Sequence, residues 1–318
     1  MFDESKIDIS KFPLIDAHHH LWDLYGDHYP SLRSVEQGGK TEHVAGDYLK
    51  IKKNYQIKDY LHDTKNFNIV KSVHVQVPYE NKQDEYGDIK WLQDQTNEND
   101  NSHCLPNGIV AYANLSHIDN LRTRFEEFKK YPNIRGIRQM LNWLDDKPKI
   151  YTMTDRHDYL TNDKWIQGYS LLQEYKLSFD LQIYQHQMVD AAQIARRYPQ
   201  TSMILNHCGM PYDCDKFDEW KQCMSILAQQ SNISCKISGL VMFQHQWTKE
   251  SLKPYIEYCL QLFGTKRCAF GSNFPVDKIN STFDDLYKVY FDIAKESGLT
   301  SDEMKQVFCD NAKQIYRL

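Results

Sequence analysis

The chain lacks any apolar run near the roughly 20 residues that a membrane-spanning helix needs, and Met1–Lys11 hold no apolar signal core. It also lacks a basic excess. Its 38 Lys and Arg face 43 Asp and Glu, a formal net charge of −5, which argues against nucleic acid or an anionic membrane surface as partner. The eight cysteines form no C-x-x-C pair, and several lie inside apolar runs. Reduced, buried thiols in a cytoplasmic protein are therefore expected. No Gly/Pro-rich linker or low-complexity stretch divides the 318 residues, so 1–318 reads as one domain with a small molecule as partner; a homo-oligomer is compatible with this reading.

Strand-like apolar runs alternate with amphipathic stretches. The strand candidates are Leu14–Trp22, Ile69–Pro78, Gly108–Leu115, Ile134–Leu141, Leu177–Ile183, Ser202–His207, Ile233–Ser238 and Cys268–Ser272. Helical patterns fall at Asp119–Tyr131, Lys164–Lys176, Met188–Tyr198, Asp215–Gln230, Leu252–Phe263 and Phe283–Ser297. Alternation of this kind predicts parallel strands with crossover helices, and eight units predict a single closed α/β barrel of the (β/α)8, or TIM, type.

The first run carries His18-His19-His20. Side chains alternate along a strand, so Asp16, His18 and His20 are expected on one face. Two imidazoles and a carboxylate buried together must pair with each other, a metal or a ligand. Other strand ends are polar where a purely structural barrel would be aliphatic: His74 and Gln76, Arg135 and Arg138, Asp180 and Gln182, Asn206 and His207, Lys236 and Ser238, then Asn273 and Asp277. Polar groups at the C-terminal ends of several barrel strands mark a catalytic mouth.

Two long connections follow the first and fourth strands, Asp23–Asn68 and Asn142–Asp163. The first carries Tyr25, His28, Tyr29, Arg33, Tyr48 and Tyr55; the second carries Trp143, Tyr151, Arg156 and His157. Long irregular loops in a compact fold are usually functional, and these are expected to be lids over a polar ligand.

The set Asp16-Ala-His18-His-His20-Leu-Trp22-Asp23, Arg135-Gly-Ile-Arg138, Asn206-His207-Cys-Gly209-Met-Pro211, Lys236-Ile-Ser-Gly239 and Phe270-Gly-Ser-Asn273-Phe-Pro275 resembles the amidohydrolase-2 branch of the amidohydrolase superfamily. Within that branch it is most similar to the sugar-lactone and pyrone-dicarboxylate lactonases. The resemblance implies a barrel that hydrolyses a lactone, commonly without an obligatory metal. It also implies that His18, His20 and His207 line the mouth and that Arg138 holds an anionic or carbonyl oxygen.

This sequence departs from the family pattern at two positions. Asn273 stands where many members have an acid, and Gln182 stands where metal-dependent relatives have a histidine. An amide is no acid–base catalyst, so Asp277 is the nearest substitute base, and water activation is expected from His207 with Asp277 or a metal-bound hydroxide. His18 and His20 are expected to polarise the carbonyl. Arg138, Asn273, Gln76, Gln182, Lys236 and Trp22 are expected to bind substrate, with no cofactor required. Two alternatives accompany this reading. One is a metal-dependent hydrolase or non-oxidative decarboxylase with zinc on His18, His20 and His207, since three histidines can hold zinc with an open position. The other is an inactive barrel that only binds a ligand.

Overall fold

The computed structural model describes residues 8–24, 29, 42–79, 84–98, 101–147 and 151–318. Eight strands form one sheet: β1 (Pro13–His19), β2 (Asn68–Val75), β3 (Gly108–Tyr112), β4 (Ile134–Met140), β5 (Ser178–Gln182), β6 (Met203–Leu205), β7 (Ile233–Ile237) and β8 (Cys268–Phe270). They lie in sequence order, every neighbouring pair parallel. Past the end of β8 the ring is drawn shut onto β1. The amide of His20 donates to Phe274 O at 2.7 Å, and that of Asn273 donates to His18 O at 2.7 Å. The fold is a (β/α)8 barrel, as the alternation of runs predicts.

The observed strands stop one to three residues before the predicted apolar runs do, because residues at their C-terminal ends leave the ladder to enter loops or short turns. The predicted helices appear as α3 (Ile118–Phe128), α4 (Asp163–Glu174), α5 (Met188–Arg197), α6 (Phe217–Ala228), α7 (Lys249–Phe263) and α8 (Phe283–Glu296). Helix α8 shows why the pattern was readable. Thr282 caps it by accepting from the amide of Asp285 at 3.0 Å. Phe283, Leu286, Tyr287, Tyr290 and Phe291 then form one buried stripe. Full burial of each such side chain contributes about 1.5–3 kcal/mol.

Two helices, α1 (Ile57–Asp63) and α2 (Gly87–Gln95), lie in segments where the sequence reading placed none. Each is under ten residues long, too short for a clear period. α1 falls within the first long connection and corrects its reading as an irregular lid. Its start is fixed by the backbone N–H of Gln56, which donates to Asp59 Oδ2 at 2.9 Å. Tyr29, Tyr48 and Tyr55 of the same connection are buried in the apolar core. Tyr25, His28 and Arg33 lie outside the described residues.

The chain finishes with α9 (Ser301–Lys305), a π-helical turn at Gln306–Asp310, and α10 (Asn311–Tyr316). This segment caps the lower end of the barrel. Tyr316 packs among Val73, Val75, Val110 and Ile204, and its hydroxyl donates to Asp180 Oδ1 at 2.9 Å. Among the described residues no helix is long and apolar enough to cross a membrane.

Candidate active site

The histidine strand departs from simple alternation. The β1–β2 register shifts between Asp16 and His19, a bulge that places Asp16 with His19 and apart from His18 and His20. Asp16 accepts from Ser272 N at 2.8 Å, Ser272 Oγ at 2.6 Å and Tyr60 Oη at 3.0 Å. His19 stacks on the same Tyr60 ring, with centroids 4.3 Å apart, and meets Ser72 Oγ at 2.9 Å. The expected two-histidine and carboxylate face is thus corrected to two histidines, while Asp16 ties β1 to the end of β8. Burial raises the Asp16 carboxyl to about 6.

His18 and His20 face each other, Nε2 to Nε2, at 3.3 Å. His20 Nδ1 lies 2.8 Å from Val75 O; a carbonyl only accepts, so Nδ1 carries the proton and Nε2 is a lone pair. Burial holds His20 neutral, with its pKa lowered to about 3, and holds His18 well below the ordinary histidine range. Asn273 Oδ1 stands 3.2 Å from that same His20 Nε2. The expected role of this pair as carbonyl-polarising donors meets a chemical obstacle. The only N–H of neutral His20 is committed to Val75, and an N–H on His18 Nε2 is directed at His20. Nδ1 of His18 has no hydrogen-bond partner among the described residues.

His207 stacks obliquely on His18, ring centroids 4.5 Å apart, and its Nδ1 lies 2.9 Å from Ser238 Oγ. Its backbone is left-handed, φ 55°, as are Cys208, Gly209 and Met210 after it. Such conformations cost non-glycine residues about 1–2 kcal/mol each and persist at sites that require them. Gly239 makes room for the ring, since a Cβ there would lie 2.4 Å from His207 Nδ1. Asn273 at the other strand end is also left-handed, φ 55°.

Asp277 does not pair with His207 as expected. It sits behind Asn273, accepting from Nδ2 at 2.7 Å, and burial pushes its carboxyl well above the usual range. Its other oxygen has no hydrogen-bond partner among the described residues.

Arg138 is held by amides. Its Nε donates to Gln76 Oε1 at 3.2 Å, Nη1 donates to Gln182 Oε1 at 2.9 Å, and Nη2 donates to Gln76 O. Three of five N–H donors are used, leaving two. Burial lowers its pKa to about 10, so it stays charged at neutral pH, with no carboxylate hydrogen-bonded to it among the described residues. Its charge helps depress the pKa of both His20 and His207. Gln76 also lines a cleft of about 390 Å³ with Tyr112, Asn114 and, from the second long connection, Thr152 and Tyr159. Within that connection Arg156 is spent on Asp158 at 2.7 Å, and the Trp143 indole on Asp145 at 2.7 Å.

Two expected substrate contacts are engaged elsewhere. The Trp22 indole donates to Lys53 O at 2.7 Å and the ring lies in the core beside Tyr55. Lys236 is fully buried, bonded to Asp180 and 3.4 Å from Ala17 O. It forms with Tyr316 a charged layer whose field reaches His18 and His207. His74 accepts from Leu21 N at 3.1 Å and serves the backbone. Ser238 and Asn206 stand among the polar strand ends read from sequence, but that reading gives neither a role: Ser238 orients His207, and Asn206 is a fully buried amide with neither side-chain atom partnered among the described residues.

A profile of the amidohydrolase family matches residues 15–318. The chain belongs to that family. Protein y4mH of Sinorhizobium fredii is 39% identical over 311 residues, covering 98% of this chain and all of that one. An L-fucono-1,5-lactonase of Burkholderia ambifaria is 26% identical over 229 residues, 66% of this chain and 70% of its own. A solved amidohydrolase from Burkholderia multivorans with bound zinc superposes with a TM-score of 0.76 at 20% identity, covering 96% of this chain and 99% of that one. Family membership and the likeness to lactonases support a hydrolase of the amidohydrolase type.

Proposed function

We propose that this amidohydrolase opens the ring of a small polar or anionic lactone, of the aldonolactone type. The observation that carries the reading is Arg138, a buried guanidinium gripped by two neutral glutamines, with two donors unspent and its charge felt by the histidines at the same strand ends. Ester hydrolysis develops negative charge on the carbonyl oxygen, and a fixed cationic donor in a dry site is suited to receive it. His207, oriented through Nδ1 by Ser238, supplies a neutral imidazole to take a proton from water and return it to the ring oxygen as the alkoxide leaves. The likeness to an L-fucono-1,5-lactonase supports a sugar-derived lactone.

A divalent cation fits part of this site. His20 Nε2 and Asn273 Oδ1 are neutral acceptors 3.2 Å apart, His18 Nε2 would join them once its proton moves to Nδ1, and a backbone carbonyl on His20 Nδ1 is what orients a metal-bound histidine. These three would hold the ion, in place of the His18, His20 and His207 set considered from sequence. When bound it would supply Lewis-acid polarisation of the carbonyl. With an amide oxygen in place of a third imidazole or a carboxylate, the trio is expected to bind the ion weakly and exchangeably, and we keep the reaction as one that does not require it. The test is a panel of aldono-1,4- and 1,5-lactones followed by acid release, comparing native protein with His207→Asn. Turnover of at least one lactone, falling by about 10²-fold or more in the variant, supports the reading. An inert panel across native protein, with or without added zinc, sinks it in favour of a binding barrel or a decarboxylase.

A further inference from the structure

Behind the barrel wall, on the helix side of β7, three thiols from three separate elements converge. Cys208 follows His207, Cys235 lies on β7 and Cys259 lies on α7; all are fully buried, and their Sγ atoms lie within 4.8 Å of one another. All three are free. Cys235 points to the helix layer because its neighbour Lys236 points into the barrel. A fourth thiol, Cys268, is the β8 register partner of Cys235 but donates to Cys259 O at 3.5 Å.

The geometry points to a binding site for one thiophilic d10 cation, Cu(I), in the Cys208–Cys235–Cys259 triangle. Thiolate sulfurs about 2.3 Å from a common ion stand roughly 4 Å apart, so the triangle needs to close by less than about 1 Å. Soft sulfur donors select Cu(I) and zinc over harder ions. Zinc in structural sites takes four ligands, and Cys268 does not join the three thiols that lie within 4.8 Å of one another, so the three-coordinate ion is the better match; on loading, Cys208 gives up the bond its thiol donates to Lys236 O at 3.8 Å. Each copper–sulfur bond formed on a thiolate releases that thiol's proton to solvent, and neither copper nor sulfur changes oxidation state. The site is separate from the histidine mouth, yet it shares the left-handed turn at His207–Cys208 with it.

The experiment loads the full chain by two routes, production in copper-supplemented cells and addition of Cu(I)–glutathione to the purified reduced protein. Both are followed by gel filtration against a competing chelator, with a parallel zinc arm. One retained copper per chain is expected, with a thiolate-to-copper charge-transfer band and a raised melting temperature. Cys259→Ala and, as a second variant on a different element, Cys235→Ala should each weaken retention at least 100-fold while keeping the far-ultraviolet circular dichroism of the native chain. A His18→Ala/His20→Ala chain should retain copper as the native one does. No retained copper by either route, retention undiminished in both cysteine variants, or cysteine-dependent retention of zinc in preference to copper would each overturn the assignment.

Discussion

Asn273 and Asp277 are joined twice, by Asn273 Nδ2 donating to Asp277 Oδ1 at 2.7 Å and by Asp277 N donating to Asn273 O at 3.1 Å, with both side chains sealed from solvent. The carboxyl that the family pattern places at the mouth is thus present one layer back, with an amide interposed between it and His20. This arrangement orients the amide oxygen toward His20 Nε2, 3.2 Å away. It also leaves the trio without an anion.

Chelator-treated protein should accordingly keep most of its lactone hydrolysis. Loss on chelation with recovery on adding zinc would assign the essential carbonyl-polarising role to the ion. Asn273→Asp should strengthen divalent-ion binding by at least about tenfold, because a carboxylate replaces a neutral donor among the same neighbours. Competition titration against a metal-sensitive dye reads this directly, and unchanged affinity would remove Asn273 from the donor set.

At Arg138, lysine is not a conservative replacement. An ammonium cannot span Gln76 and Gln182 and still present two parallel donors. Arg138→Lys should lower kcat/KM by roughly 30- to 1000-fold, the equivalent of about 2–4 kcal/mol of transition-state stabilisation. A thermal melt of the same variant decides the matter. A lowered melt with unchanged turnover per folded molecule would make Arg138 part of the scaffold.

Ser238 acts through His207. Removing its hydroxyl in Ser238→Ala costs one hydrogen bond, about 0.5–1.5 kcal/mol, so kcat should fall roughly 2- to 12-fold with KM nearly constant. Ser238→Thr should restore it. A fall in stability without any change in kcat or in the pH–rate profile would mean that the contact serves folding alone.

Asp88 gives a pH-dependent prediction away from the mouth. It is buried in the first turn of α2, where Ile89 N donates to its Oδ1 at 2.8 Å, and burial raises its pKa to about 7. The folded chain therefore holds a proton that the unfolded chain, at about 3.9, has lost. This contribution is full below the unfolded value and lost as pH rises through about 7. Asp88→Asn keeps the acceptor and removes the charge. At pH 8 it should raise the melting temperature by about 2–5 °C, corresponding to about 1–2 kcal/mol, and near pH 4 it should change little. Equal effects at both values would show that Asp88 is not the titrating group.

The barrel was legible because apolar runs bounded by polar strand ends repeat eight times, and family membership was legible in the same residues. Tertiary choices within the site were not. Period-two alternation places Asp16 beside His18, and nothing local announces the bulge that separates them. Lys236 and Asp180 read as mouth residues because a polar side chain on a barrel strand looks the same at either level. Their pairing deep in the barrel depends on Tyr316, which lies 80 residues beyond Lys236. Trp22 adjoins the histidines in sequence, but its indole N–H is used on Lys53, a partner set by the path of the first connection.

The Tyr316 contact also sets an order of events during synthesis. Ribosomes deliver about 5–20 residues per second, and all eight strands are complete once Phe270 has emerged. The lysine–aspartate layer still lacks its lower cover until the segment through Tyr316 follows. For those seconds a nascent barrel with every strand made would carry its central ion pair open to water from below. Lys236, whose charge adds to the burial that lowers the pKa of His18 and His207, is thus covered from below by the helix that carries Tyr316.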